Sequence, residues 1–249
     1  MASITVVIPV RNDAAMLANA LESLRRQYRP PDEIVVVDNG SSDASAQVAR
    51  EGGARVVPEP VRGIPSATST GYDSAHGEII ARIDADTVCP PEWLAHIERR
   101  FDGEPDLDLL TGAAHFYGSN AVVHRLGESL YIGGMYWSMT PYLGHPPVFG
   151  SNFAMRRAVW QELGPEIHRE PGIHDDLDLS LHIRPWMRVE LDPGLVVGIS
   201  ARPFATLGGL TRRIAWVAPT LKNHWPEDSP WARRAARREW LEASSERTA

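Results

Sequence analysis

Cysteine is almost absent from this chain, since Cys89 is the one cysteine in 249 residues. A single thiol can form neither an internal disulfide bond nor a zinc site built on several thiolates, and sparing cysteine use suits a reducing cytoplasm. No signal peptide is evident either, because the chain enters directly on a strand-like run. We therefore expect a cytoplasmic location, with peripheral contact at the inner face of the membrane left open.

No apolar run is long and continuous enough to predict a membrane span. The best candidate, residues 129–155, contains no Asp, Glu, Lys or Arg, but seven glycines and prolines interrupt it. A continuous bilayer helix needs about 20 residues, so we do not predict one here. The aromatic side chains of this segment would suit a wall that stacks on a sugar, an interfacial patch or a loop packed over the core.

Several nucleotide-binding and catalytic motifs are also missing. The first strand runs into residues 8–13, IPVRND, which contain no glycine. The glycine fingerprint of dinucleotide-binding folds and the lysine-bearing P-loop are therefore absent, which argues against oxidoreductases and P-loop kinases. The Gly-x-Ser-x-Gly elbow and the His-Glu-x-x-His motif do not occur, which disfavours the common serine hydrolases and zinc peptidases. A hydrolytic or non-catalytic carboxylate cluster stays open at this point.

The composition is that of an ordinary globular protein with unevenly distributed charge. Apolar residues make up 43% of the chain, and the formal net charge of −7 argues against a general nucleic-acid binder. Residues 201–249 are basic, however, with nine Lys or Arg and five Asp or Glu. Four arginines there lie close together on a predicted helix: Arg233, Arg234, Arg237 and Arg238. This helix could contact anionic lipid, dock on the acidic body or a second copy, or stay solvated.

Strand-like and helix-like segments alternate through the first half of the chain. Continuous Val and Ile runs predict strands at residues 4–8, 33–37, 55–57 and 78–83, and apolar residues at helical spacing predict helices between and after them. Strands without apolar–polar alternation are typical of parallel sheets covered by helices on both faces. We therefore predict an α/β fold with a mostly parallel central sheet.

Charged side chains follow three of the predicted strands where each strand ends. Arg11 comes just after the first, Asp38 closes the second, and Asp84 and Asp86 close a later one. Ligands bind at the carboxyl edge of open parallel sheets, and side chains two residues apart in an extended segment point the same way. Asp84 and Asp86 can therefore converge on a divalent cation that carries a diphosphate, since Mg²⁺ and Mn²⁺ prefer such oxygens.

Five segments in a fixed order give the chain a family resemblance: VVIPVRNDAAMLANALESL, PDEIVVVDNGSSDAS, GEIIARIDADT, FGSNFAMRRAVWQELG and HDDLDLSLHI. Together they resemble family 2 glycosyltransferases of the GT-A fold, over residues 4–183. The resemblance implies a nucleotide-sugar-binding half at residues 1–106 and an acceptor-binding and catalytic half at 107–210. Residues 211–249 would then form a basic helical extension.

The resemblance also implies a donor site at the carboxyl edge of the sheet. The family's Asp-x-Asp motif binds the sugar nucleotide and the metal, so Asp84 would contact the donor and Asp86 would bind Mn²⁺ or Mg²⁺. The nucleotide pocket maps onto Pro9, Arg11, Asp13, Asp38 and Arg62. Many relatives have Tyr where this chain has Arg11, so a guanidinium plane or a polar contact would replace stacking on the base. Asp13 could equally cap the helix that follows it.

A second acidic cluster, HDDLD at residues 174–178, begins a predicted helix. The helix dipole favours acidic residues in a first turn, so a structural role stays open. The family usually has Glu-Asp here, with the second acid as general base. By resemblance Asp176 is the base and Asp175 orients the acceptor, whereas Asp178 is expected to be structural. Asn152 is expected to hydrogen-bond hydroxyls of the sugar or the acceptor.

These assignments imply a single displacement with inversion at the anomeric carbon, in which the base takes the proton of an attacking acceptor hydroxyl. The family's frequency favours UDP-hexose over GDP-mannose as the donor. Residues 211–216, TRRIAW, are only loosely similar to the Gln-x-x-Arg-Trp motif of processive synthases. We therefore expect a non-processive enzyme. His182 and Arg202 are candidates for contact with phosphate or metal.

Three questions stay open at the level of sequence. The acceptor could be a saccharide, a lipid or a small metabolite. A sugar-nucleotide nucleotidyltransferase would also bind a sugar nucleotide through a metal ion. Its sequence would, however, typically open with a glycine-rich, lysine-bearing loop that is missing here. A non-catalytic nucleotide-sugar-binding protein of the same fold is the third alternative, and the acid at Asp176 argues mildly against it.

Overall fold

The computed structural model describes residues 1–118, 132–202, 207–225 and 229–248, and it describes the side chains of all of these except 207–214 and 244–248. The elements follow in this order: β1 (Ile4–Val10), α1 (Ala14–Arg25), β2 (Glu33–Asp38), α2 (Ser45–Glu51), β3 (Arg55–Pro58), α3 (Ile64–Ser74), β4 (Ile79–Arg82), β5 (Thr87–Val88), α4 (Trp93–Gly103), β6 (Leu109–Tyr117), α5 (Gly134–Leu143), β7 (Phe153–Arg156), α6 (Arg157–Leu163), α7 (Asp175–His182), β8 (Val189–Ser200), α8 (Leu207–Asn223) and α9 (Pro230–Thr248).

The strands form one sheet in the order β3-β2-β1-β4-β7-β6-β8-β5. β1 pairs in parallel with both β2 and β4, β2 with β3, and β6 with β8. The four-residue strand β7 is antiparallel to both of its neighbours, β4 and β6, and β5 is antiparallel to β8. The predicted α/β fold with a mostly parallel sheet is confirmed.

Helices cover both faces of the sheet because its central strands are apolar on both sides. Val6 and Ile8 of β1 belong to an apolar cluster that includes Leu17 of α1 and Leu94 of α4. The intervening Val7 points to the other face, where it joins a second cluster with residues of α3 and α6. Full burial of one such side chain contributes about 1.5–3 kcal/mol. This double burial explains the unbroken Val and Ile runs in the sequence.

The loop after β1 is held by residues of the loop after β2. Asn12 has a φ of 54°, and its side-chain oxygen accepts the backbone N–H of Ser42 at 2.7 Å. The carboxylate of Asp43 accepts the backbone N–H of Ala14 at 3.1 Å, so it caps the first turn of α1 from a neighbouring loop. Asp13 occupies the N-cap position without a side-chain cap hydrogen bond. The alternative role of Asp13 as a helix cap is therefore wrong.

The basic helix α9 docks on the body of its own chain. Arg233 donates to the backbone carbonyls of Leu143 and Leu181, and Arg234 and Arg237 each donate to one further carbonyl. Three of the four predicted arginines are thus engaged with the ends of α5 and α7 or the turn that follows α7. Arginine side chains near a helix C-terminus satisfy carbonyls that have no partner within the helix.

Residues 129–131 of the uncharged segment lie outside the described residues, and residues 134–143 form α5. Trp137 of this helix is 82% exposed, whereas Met135 and Met139 line the cavity described below. Among the helices that the structure describes, none has both the length and the apolar character that a bilayer span requires.

Candidate active site

A cavity of about 600 Å³ lies at the carboxyl ends of β1 and β4. The segments that follow these two strands, the segment before β7, the first turn of α7 and parts of α5 and α8 line it. Seven of the ten predicted site residues are brought together here: Pro9, Arg11, Asp13, Asp84, Asp86, Asp175 and Asp176. The predicted location at the carboxyl edge of the sheet agrees with this geometry.

Asn152 does not line the cavity. Its side chain is fully buried, its amide donates to the carbonyls of Ala113 and Leu195 at 2.7 and 2.8 Å, and its oxygen accepts the indole N–H of Trp93 at 2.8 Å. Both amide N–H groups are thus used, and full burial away from the cavity keeps the amide oxygen out of reach of a sugar hydroxyl. We therefore correct the expectation from sequence and leave Asn152 out of the acceptor site.

Asp38 and Arg62 also lie outside the cavity lining. The Asp38 carboxylate accepts the backbone N–H of Ser41 at 2.9 Å, as in a turn, and Arg62 is exposed in the loop before α3. Asn39, which was not predicted, does line the cavity. Its amide donates to two carbonyls of the loop that carries Arg62, and its oxygen accepts the N–H of Gly63. Asn39 therefore fixes the loop that carries Arg62.

A buried arginine joins the two acidic pairs of the cavity. Arg82, the last residue of β4, is 3% exposed. Its guanidinium donates to Oδ1 of Asp84 at 3.0 Å, and its Nη1 lies 2.8 Å from Oδ2 of Asp175. Burial opposes the charge on Arg82, but the carboxylates of Asp175 and Asp84 raise its pKa well above the usual value. The positive charge that relieves repulsion among these acids is therefore part of the chain itself.

Asp84 and Asp86 have different partners. Oδ2 of Asp84 accepts the hydroxyl of Ser151 at 2.6 Å, so both oxygens of this carboxylate are oriented. Oδ2 of Asp86 lies 3.6 Å from the guanidinium of Arg202, which also donates to both carboxylate oxygens of Asp13 at 3.1 and 2.5 Å. Arg202 thus connects the loop after β1 to the end of the Asp-Ala-Asp segment.

The first turn of α7 brings a second acidic pair into the cavity. Oδ2 of Asp176 accepts the backbone N–H of Gly150 at 2.9 Å, and its Oδ1 lies 2.5 Å from Nδ1 of His174. Asp175 accepts the hydroxyl of Thr68 at 3.1 Å besides its ion pair with Arg82. The two carboxylates are thus oriented by different partners.

The environment shifts the pKa values of these two acids in opposite directions. Burial alone would raise the pKa of Asp176, but His174, Arg82 and the Gly150 N–H together hold it below its usual range. Burial and the neighbouring charge of Asp176 raise the pKa of Asp175 despite the attraction of Arg82. The pKa of Asp176 therefore lies further below neutral pH than that of Asp175, so Asp176 is the acid more firmly held in its ionised form.

One edge of the cavity offers carboxylate oxygens that could hold a hard divalent cation, and Arg202 contacts two of these carboxylates. Asp13, Asp84 and Asp86 all line it, and carboxylate oxygens are the protein ligands that Mg²⁺ and Mn²⁺ prefer. His182, a candidate from the sequence for contact with phosphate or metal, does not line this cavity and contacts Asp178 instead.

Besides Asn39, three charged or polar residues of the site escape prediction from sequence: Arg82, Ser151 and His174. Arg82 does give a signal, because a charged residue at the end of the apolar run IIAR in a central strand must find a buried partner. Ser151 and His174 give none, since their roles depend on contacts with Asp84 and Asp176 that the fold creates.

The chain resembles known proteins in sequence and in fold. The model of glycosyl transferase family 2 matches residues 5–164. An undecaprenyl-phosphate 4-deoxy-4-formamido-L-arabinose transferase of Pseudomonas fluorescens is 36% identical over 114 residues, which are 40% of this chain and 33% of that protein. The chain spans between about a third and a half of the length of several curated relatives that it matches.

Solved structures share the fold. The chain matches glucosyl-3-phosphoglycerate synthase from Mycobacterium tuberculosis, in complex with Mn²⁺, UDP-glucose and phosphoglyceric acid, with a TM-score of 0.64 and 22% identity, over 88% of this chain and 79% of that one. It matches the mannosyltransferase PcManGT from Pyrobaculum calidifontis, in complex with GDP-Man and Mn²⁺, with a TM-score of 0.65 and 20% identity, over 98% and 75%. At this identity the likeness shows the fold, GT-A, alone. Because the family model covers more than half of its length, the chain belongs to glycosyl transferase family 2.

Proposed function

We propose that this protein is an inverting, metal-dependent and non-processive glycosyltransferase that moves one sugar from a nucleoside-diphosphate sugar to an acceptor hydroxyl. One observation carries the proposal: Asp84 and Asp86 at the end of β4 share a cavity with Asp175 and Asp176 at the start of α7. A direct displacement requires a donor site and a base on the same reacting centre, and membership of family 2 supports this reaction class.

The donor would occupy the side of the cavity formed by the ends of β1 and β4. We assign Pro9, Arg11 and Asp13 to the nucleotide, and Asp84, which Arg82 and Ser151 orient, to hydroxyls of the donor. Asp38 and Arg62 stay proposed nucleotide contacts from the neighbouring loops. Asp86 would hold Mn²⁺ or Mg²⁺, which when bound stabilises the negative charge that gathers on the departing diphosphate.

Asp176 would act as the general base. Its carboxylate is ionised near neutral pH, as a base requires, and the N–H of Gly150 and the His174 ring fix its orientation. The carboxylate takes the proton of the acceptor hydroxyl as the new oxygen–carbon bond forms, a contribution of typically about 10²–10⁴-fold. Asp175, held by Arg82 and Thr68, would orient the acceptor. One base facing one leaving group gives inversion at the anomeric carbon.

The acceptor side of the cavity is largely apolar. Side chains from α5, α7 and α8 line it: Met135, Met139, Leu177, Trp216 and Val217. This wall favours an acceptor that carries an apolar part, and the name of the Pseudomonas fluorescens relative specifies a polyprenyl-phosphate acceptor. UDP-hexose stays our first choice of donor, whereas solved structures of this fold hold UDP-glucose or GDP-Man.

The proposal is tested by incubating the full chain and Mn²⁺ with UDP-glucose, UDP-galactose, UDP-N-acetylglucosamine and GDP-mannose, with and without saccharide and polyprenyl-phosphate acceptors. We expect acceptor-stimulated release of nucleoside diphosphate that EDTA abolishes, and a product of inverted anomeric configuration by NMR. Donor binding without turnover would favour a non-catalytic binding protein, and pyrophosphate release from a nucleoside triphosphate and a sugar phosphate would favour a nucleotidyltransferase. Either outcome would overturn the proposal.

A further inference from the structure

The helix that carries the proposed base also carries a second polar cluster, which the proposed reaction does not use. Asp178 of α7 is fully buried. Three histidines from different segments surround it: His168 precedes α7, His182 is its last residue, and His224 follows α8. Each residue offers one ligand atom, and these four atoms all lie within 4.8 Å of one another.

The contacts converge on one carboxylate. Oδ1 of Asp178 lies 2.8 Å from Nδ1 of His168 and 2.9 Å from Nε2 of His224. The ring centroids of His182 and His224 are 4.6 Å apart, and that of His168 lies 5.3 and 5.5 Å from the other two. A buried carboxylate needs hydrogen bonds or a positive charge beside it, and the side-chain partners of Asp178 are these three imidazoles.

We propose that His168, Asp178, His182 and His224 bind one Zn²⁺ ion in a closed, four-coordinate structural site. Zinc bonds to nitrogen and oxygen of about 2.0–2.2 Å hold tetrahedral ligand atoms about 3.3–3.5 Å apart. The contacts of 2.8 and 2.9 Å to Asp178 would therefore widen by about half an ångström on binding. Three imidazole nitrogens make this donor set softer than the carboxylates around Asp86, so the two sites would select different metals.

The groups that would orient these ligands are also present. Nδ1 of His182 lies 2.9 Å from the backbone carbonyl of Asp178, an arrangement in which it donates its proton there and leaves Nε2 to bind a metal. The backbone N–H of His168 donates to Oδ2 of Asp178 at 2.9 Å. Metal-binding histidines and carboxylates almost always have such outer partners, which fix tautomer and orientation.

The ion would join the segment before α7 to two helices that shape the proposed active site, α7 and α8. α7 begins with Asp175 and Asp176, and α8, which precedes His224, contributes Trp216 and Val217 to the cavity. Binding would hold α8 against α7 and so keep the acceptor wall next to the base. Because the ligands are far apart in the unfolded chain, the binding free energy would also stabilise the fold.

Zinc content and Co²⁺ spectroscopy test this inference without relying on activity. The full chain is dialysed against metal-free buffer after incubation with Zn²⁺, and the bound zinc is measured by mass spectrometry of the elements. We expect about one equivalent per chain in the wild type and in His76→Ala, whose exposed ring lies outside the cluster. His224→Ala and His168→Ala should lose it. Asp86→Ala should keep it, which separates this ion from the proposed catalytic metal.

Wild-type protein alone also decides the question if the variants fail to fold. Reconstitution with Co²⁺ should give the intense visible bands of a tetrahedral site, and a strong zinc chelator should lower the melting temperature. Absence of stoichiometric zinc and of the cobalt bands in the wild type would overturn the proposal. Equal zinc binding by wild type and the folded His224→Ala variant would overturn it too, and the cluster would then be a hydrogen-bonded network only.

Discussion

Arg82 at the end of β4 and Asp175 at the start of α7 form a buried ion pair, with 2.8 Å between Nη1 and Oδ2. The same guanidinium donates to Asp84. One side chain therefore sets the spacing between the proposed donor site and the proposed acceptor site. Its loss would affect stability and catalysis together, because neither acid could keep its position without the charge.

Replacing Arg82 with methionine should destabilise the protein by about 3–5 kcal/mol, because buried carboxylates would lose their cation. Urea unfolding followed by circular dichroism measures the change. Arg169→Met is the matched control, since Arg169 and Asp73 form a half-exposed surface pair, worth about 0–1 kcal/mol. Equal unfolding midpoints for the two variants would contradict the central role of Arg82.

Asp176→Asn should lower kcat by about 10²–10⁴-fold while donor binding changes little, because the amide cannot accept the proton. Single-turnover product formation and donor titration by fluorescence separate the two effects. Asp102→Asn, at an exposed position of α4, should behave as wild type. Full activity in Asp176→Asn with loss of activity in Asp175→Asn would move the base to Asp175.

Gly150→Ala should impair catalysis through sterics alone. A Cβ at this position would lie 2.5 Å from Nη1 of Arg82 and 2.8 Å from Oδ2 of Asp176, and both atoms are fixed by other contacts. A displacement of about 1 Å at a reacting group can cost about 10²-fold in rate, and we expect a loss of that order in kcat/KM. Gly103→Ala, where a Cβ meets nothing within 4 Å, is the control. Similar kinetics for both variants would contradict this packing.

Stability should fall in mild acid because of His145. Burial lowers the pKa of His145 to about 4, the carbonyl of Pro146 opposes this shift, and the charge of Arg233 adds to it. In the unfolded chain the pKa of His145 is near its ordinary value of 6.5. The contribution of the neutral, buried ring to folding stability is therefore complete above that pH and is lost as the pH falls toward 4. At pH 5 the loss is about 2 kcal/mol.

His145→Gln tests this origin of the acid sensitivity. The difference in unfolding free energy between pH 7.5 and pH 5, measured in urea, should be smaller in the variant than in the wild type by about the same 2 kcal/mol. His76→Gln, at an exposed ring, should leave that difference unchanged. A wild-type pH dependence that persists in His145→Gln would assign the effect to other groups.

The parts of the site that could be predicted are those that local sequence determines. The apolar run of β1 and the Asp-Ala-Asp segment after β4 follow from strand patterning and from the rule that ligands bind where parallel strands end. Arg82 could not be paired with Asp175 from sequence, because the ion pair depends on the packing of α7 against the sheet. Asn152 was predicted to contact ligand but is buried. Its position in a motif does not reveal whether its side chain faces the cavity or the core.

The direction of β7 has a consequence for how the two proposed half-sites meet. An antiparallel strand enters the sheet at the edge where its parallel neighbours leave it, and Phe153, its first residue, pairs with Arg82, the last residue of β4. The residues just before β7, Gly150 and Ser151, are thereby delivered to the carboxyl edge. A parallel β7 would have carried them to the opposite end of the sheet. The reversal of one short strand thus lets a single turn contact Asp84 through a hydroxyl and Asp176 through a backbone N–H.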